Sequence, residues 1–165
     1  MSDPAPPDAD GLSAEALRAL GWRLDAQGWR GLRLDARGPV LALAGQPPGP
    51  RPPARLALPP AALAGLVAGA ARQRGWREPY RATRPRPGTL GYQEALRLLG
   101  RWLDRREARL VRLIEHGDGL IVQHRAPAGG AVATILVPWT DLASWHRAAV
   151  RRRASAPRWP DAQGA

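Results

Sequence analysis

A chain of 165 residues carries 25 arginines and no lysine against 14 acidic residues, for a net charge of +11, with 18 Gly, 18 Pro and no Cys. Lacking Cys, it has no disulfide, thiolate nucleophile, Cys-type zinc site or iron–sulfur cluster; lacking Lys, it has no Walker-type phosphate loop, Schiff base or kinase-type lysine. The length suits one ordinary core or two small ones sharing an interface, and the guanidinium excess raises nucleic acid as a partner, although Ala, Arg, Gly and Pro together are also what GC-rich codons supply.

In chain order, MSDPAPPDAD has three Asp and neither a basic residue nor an apolar run. Residues 1–12 are therefore expected to be a disordered acidic lead, not a secretory signal or transit peptide. In EALRALGWRLD, 15–25, Leu17, Leu20 and Leu24 recur at i, i+3 and i+7, which predicts a helix capped by Ser13. Gly21 inside it costs about 1 kcal/mol relative to Ala, so another backbone is expected to approach closely there. WRGLRLDARGP, 29–39, changes to a period of two; Leu32, Leu34, Leu41 and Leu43 predict paired strands with one apolar face. After the loop GQPPGPRPPA, RLAL at 55–58 reads as a third strand stopped by Pro59, and Leu63, Leu66, Val67 and Ala70 mark a second helix. The uncharged run from Leu56 to Ala71 would reach only about 24 Å as a helix, against about 30 Å of bilayer core, and Pro59 and Pro60 interrupt it. No membrane span is expected.

Residues 75–91 form an Arg- and Pro-rich linker, where Trp76 and Tyr80 alternate with Arg77, Arg81, Arg84 and Arg86. It suits a proline-stiffened spacer, or a strip that follows a phosphate backbone while its aromatics stack on bases. Beyond it, EALRLLGRWLD at 94–104 nearly repeats 15–25. A shift of 79 residues aligns 14–74 with 93–153 without a gap, and 21 of the 61 positions are identical. That is about a third, where this composition gives roughly a tenth by chance. The second copy thus offers a helix on Leu96, Leu99 and Leu103 with Gly100 inside it. A hairpin closing at Gly117-Asp118 follows, with Val111, Leu113, Leu120 and Val122 on one face. TILV at 134–137 ends at Pro138, and a last helix bears Leu142, Trp145, His146 and Ala149. The expected fold is α+β: a tandem duplication of an α-β-β-β-α unit at 13–74 and 92–153, related by a pseudo-two-fold, with antiparallel sheets and helices packed on one face. Residues 154–165 are expected to be a disordered tail.

Candidate chemistry is sparse. Glu115, His116 and Asp118 in EHGDG gather acid and imidazole, but Gly117-Asp118 is also an ordinary hairpin turn. With a two-residue turn His124 pairs with Val111, roughly 17 Å along the strands from His116. His146 lies on an apolar stripe and reads as a buried or interface histidine, and Ser144 has no G-x-S-x-G around it. No catalytic residue, cofactor or metal is expected. Arg151, Arg152 and Arg153 complement a helix C-terminus or contact phosphate. Charge is spread evenly, +6 over 14–74 and +5 over 93–153, which looks compositional. If the helices cover one sheet face, the other carries Arg33, Leu110, Arg112, Ile114, Ile121, Gln123 and Arg125. Aliphatics among arginines on such a face suit contact with the other copy, a second chain or an extended nucleic acid, as against a mixed, solvated sheet. The expected function is a non-catalytic interaction or regulatory module of the cytoplasm, with a protein partner or a homo-oligomer. Nucleic-acid binding through the linker, sheet face or helix ends is the alternative.

Overall fold

A computed structural model describes residues 12–72, 90–127 and 130–154, so the acidic lead, the linker and the tail lie, boundary residues apart, outside the described residues. In chain order these residues form α1 (Ala14–Ala26), β1 (Arg30–Asp35), β2 (Leu41–Gln46), β3 (Ala54–Leu58), α2 (Pro60–Ala71), α3 (Tyr92–Asp104), β4 (Arg109–His116), β5 (Gly119–Arg125), β6 (Val132–Pro138) and α4 (Trp139–Ala154). The fold is α+β. The strands make one open antiparallel sheet in the order β3-β2-β1-β4-β5-β6. Its two hairpin halves join at β1 and β4, where Arg33 faces Ile114, Leu34 faces Leu113 and Asp35 faces Arg112.

The periodic leucines explain the layering. Leu17, Leu20 and Leu24 of α1 and Leu96, Leu99 and Leu103 of α3 share one core with Leu32, Leu34, Leu41, Leu43, Leu113, Leu120 and Val122 from one sheet face. At roughly 1.5–3 kcal/mol per fully buried Leu, this shared layer is the main source of stability. The close approach expected at the helical glycines is present. A Cβ on Gly21 would stand 2.5 Å from the Tyr92 carbonyl, and one on Gly100 would stand 2.5 Å from the Ala14 Cα. Each glycine thus meets the first turn of the other helix, so α1 and α3 cross antiparallel with their backbones nearly touching.

Caps fix the helix starts. The Ser13 hydroxyl accepts the Ala16 N–H at 3.1 Å, as its place before the leucine pattern predicts. α3 begins after Gly91, which has no side chain to offer. The Asp25 carboxylate at the end of α1 takes that role, accepting the Tyr92 and Gln93 N–H groups at 2.9 Å each. In α2, Pro60 sits at the first turn, where a missing N–H costs nothing, and Pro59 ends β3. The uncharged run is thereby split into a strand and a helix. Among the described residues, no helix is long and apolar enough to cross a membrane.

Two strand irregularities matter. β1 shifts register between Arg30 and Arg33, with Gly31 at φ 64°, and β4 shifts between Leu110 and Arg112. The β4 bulge corrects two expectations. His124 pairs with Leu110, not Val111, and Leu110 turns into the core at 6 % exposure instead of joining the uncovered face. One extra residue opposite a partner strand reverses the in-out alternation behind it. The sheet edges also differ. β3 is short, contains Arg55 and is bracketed by Pro53 and Pro59, whereas β6, VATILVP, has no charge at all.

Candidate functional site

Paired residues in an antiparallel sheet point to the same side, so register sorts the side chains. The core takes Leu34, Leu43, Leu113 and Val122, and their chain neighbours face away from the helices. One cross-strand row on that uncovered side reads Arg55, Ala44, Arg33, Ile114, Ile121, Leu136. The next reads Ala57, Ala42, Asp35, Arg112, Gln123, Thr134. Of the residues expected on this face, the sheet brings Arg33, Arg112, Ile114, Ile121, Gln123 and Arg125 together there, and only Leu110 departs. The sequence reading left out β3 and β6, and with them Arg55, Thr134, Val132 and Leu136. Val132 and Leu136 are 42 % and 50 % exposed. The alternation of TILV held the signal for Leu136, but the side it faces depends on pairing with β5.

Ile114, Ile121 and Leu136 are direct cross-strand neighbours and form an apolar row with no helix above it. Beside the row the face changes character. Ala42 and Ala44 are too small to fill their places, and a hollow of about 310 Å³ opens between Arg33, Arg55 and Arg112. Asp35 stands at its edge, with its carboxylate accepting from the Arg37 Nε at 2.9 and 3.1 Å. Those hydrogen bonds hold the Asp35 carboxyl below its ordinary value. Among the described residues Asp35 makes its ion pair with Arg37, and Arg33, Arg55 and Arg112 make none.

The acid and imidazole groups of EHGDG point in different directions. Glu115 pairs opposite Leu120 on the helix side, and His116 opposite Gly119 on the other. Asp118 sits in the turn, its carbonyl accepting the Trp139 N–H at 3.0 Å. Glu115 works inside the junction: one carboxylate oxygen accepts the Leu32 N–H of β1 at 2.8 Å and the Tyr92 hydroxyl. Burial, then the hydrogen bond to Glu115, pushes the Tyr92 phenol far above its usual range, so it stays a donor. His124 sits edge-on to Trp102 at 5.2 Å, with the Arg106 guanidinium 4.2 Å from the Trp102 ring.

His146 approaches Glu94 at 3.1 Å where α4 meets α3. Glu94 itself is buried and receives the Arg97 Nε and guanidinium at 2.8 and 2.6 Å. Burial alone would push its carboxyl up. The Arg97 hydrogen bond and charge, with His146 behind them, outweigh burial and hold it below the ordinary value. Among the described residues, no three His, Asp or Glu gather so as to hold a metal. Of the proposed phosphate contacts, Arg151, Arg152 and Arg153 belong to α4, while Trp76, Arg77, Tyr80, Arg81, Arg84 and Arg86 lie outside the described residues. No family model, curated protein or solved structure matches the chain.

Proposed function

We propose that the chain is a non-catalytic interaction module of the cytoplasm, built from two copies of one α-β-β-β-α unit, that grips a protein partner with the uncovered face of its sheet. The duplication draws support from the junction. Leu34 and Leu113 are aligned by the 79-residue shift and face one another at the centre of the sheet. Gly21 and Gly100 are aligned by the same shift, and each meets the start of the other's helix. Such reciprocal contacts are what two like units turned about a two-fold would make.

The observation that carries the functional reading is the row Ile114, Ile121, Leu136. Three aliphatic side chains in register across β4, β5 and β6, Ile114 and Ile121 half-buried and Leu136 exposed, with no helix over them while the other sheet face buries its leucines, make this row the contact surface of the proposal. A nucleic acid is the alternative raised by the arginines, yet among the described residues the face has no Trp or Tyr on which a base could stack.

Selection from a random peptide library on the immobilised full chain tests the proposal. Peptides enriched by the wild type are expected to lose binding to Ile121→Asp and Ile114→Asp, both on the uncovered side and away from the core. Enrichment of peptides that bind these variants as well as the wild type would sink the reading.

A further inference from the structure

We infer that the hollow between Arg33, Arg55 and Arg112 is an anion site for carboxylates, and that the segment this face binds is bipartite, acidic at one end and aliphatic at the other. The inference rests on the reading of the uncovered face as a protein contact and names the chemistry of its partner. Three features of the hollow carry it.

The first is unspent charge. Among the described residues that line the hollow the one carboxylate is Asp35; it is hydrogen-bonded to Arg37 and attracts Arg112 opposite it, which leaves Arg33 and Arg55 beside a floor of Ala42 and Ala44 with no carboxylate in ion-pair contact, and three guanidiniums facing one shared negative charge. Like charges gathered over a low-dielectric floor raise the local potential and draw counter-charge into the concavity. The second is donor geometry. Every cation here is a guanidinium, whose planar fork bonds a carboxylate through two parallel hydrogen bonds. Arg33 and Arg55 flank Ala44 in one row, so they stand two strand spacings apart, about 10 Å, with Arg112 in the neighbouring row. A single small anion cannot satisfy all three at once, whereas successive acidic side chains of one segment can.

The third is continuity. The row that begins with Arg55 and Arg33 runs on directly into Ile114, Ile121 and Leu136. From Arg55 to Leu136 is five strand spacings, roughly 24 Å, the reach of about seven extended residues or sixteen helical ones. A segment laid across the strands meets cations first and aliphatics second. A phosphate backbone would satisfy the arginines and leave the aliphatic half without a partner. An acidic segment ending in Leu, Ile or Val satisfies both.

The test uses the full chain with fluorescent hexaglutamate as the carboxylate probe. We expect binding to weaken by at least about tenfold in Arg33→Gln/Arg55→Gln and in Arg112→Gln, and to be nearly unchanged in the uncharged variant Ile121→Ser and in the control Arg147→Gln on α4. Arg55→Gln alone, on the edge strand, serves if the double variant does not fold. Equal losses in the control and hollow variants would mean bulk charge only and overturn the inference, as would hexaglutamate that does not bind. Tighter, hollow-dependent binding of oligothymidylate would replace carboxylate by phosphate and overturn it too. Loss of the hollow result leaves the library test on Ile121 and Ile114 standing, and failure of that test with an intact hollow removes the partner reading alone.

Discussion

Glu94 and Arg97 are buried together on α3, a costly arrangement in which each charge depends on the other. Replacing Glu94 by Gln leaves a guanidinium buried without its carboxylate, and is expected to cost about 3 kcal/mol in urea unfolding at neutral pH. The pH dependence has a definite sign. The folded Glu94 carboxyl is held below its ordinary 4.5, so its contribution is complete above that value and is lost as pH falls through the lower folded one. The gap between wild type and Glu94→Gln should therefore close in acid; a gap that persists unchanged would show that the pair does not stabilise the fold. Local sequence could not reveal this pair. EALR occurs in both helices, yet Glu15 is exposed and Glu94 is 4 % exposed, because what packs over each differs. Asp25 is a similar case: its spacing fits the end of α1, but the helix it caps begins 67 residues later.

At the level of elements, the period-3.6 and period-2 patterns identified the four helices and six strands of the described residues, and Ser13 announced its cap. Turning the strands into faces was legible only in part. Leu110 and Val111 are both aliphatic, so alternation could not choose between them, and the choice falls to a bulge that exists only once β4 is paired with β5. Glycine provides the sharper test of helix packing. Gly21→Ala and Gly100→Ala are each expected to lower stability by about 1–3 kcal/mol through overpacking, although Ala returns about 1 kcal/mol to an isolated helix. Gly65→Ala in α2, where a Cβ meets nothing within 4 Å, should raise stability by up to about 1 kcal/mol. Thermal melts of the three variants check the contrast, and a melt of Gly100→Ala no lower than wild type would contradict the backbone contact between α1 and α3.

For the whole molecule, sequence repetition pointed to two like units, but nothing in it said whether they would hold one sheet or two. The answer depends on edges: β1 pairs on both sides, so the first hairpin is completed by β4 of the second. The uncovered face spans that seam, with the hollow using Arg33 and Arg55 from one half and Arg112 from the other. Neither half lines the hollow alone.

The seam at β1 and β4 has a consequence for assembly. The contacts that unite the halves among the described residues are the Leu34–Leu113 pairing, the Glu115 carboxylate on the Leu32 N–H and the Asp25 cap on α3, and none of them is made by a residue in 75–89. On the duplication proposed above, affinity between the two halves is expected to reside in this seam and not in the peptide that connects them. Proteolysis confined to 75–89 should yield two fragments that co-elute under native conditions and separate only in denaturant, and spontaneous separation would show that the connecting peptide supplies the affinity itself. Co-elution would make the proposed pair of units in effect a heterodimer produced in a single translation, its one-to-one ratio guaranteed while residues such as Val67 and His146 diverge between the aligned positions.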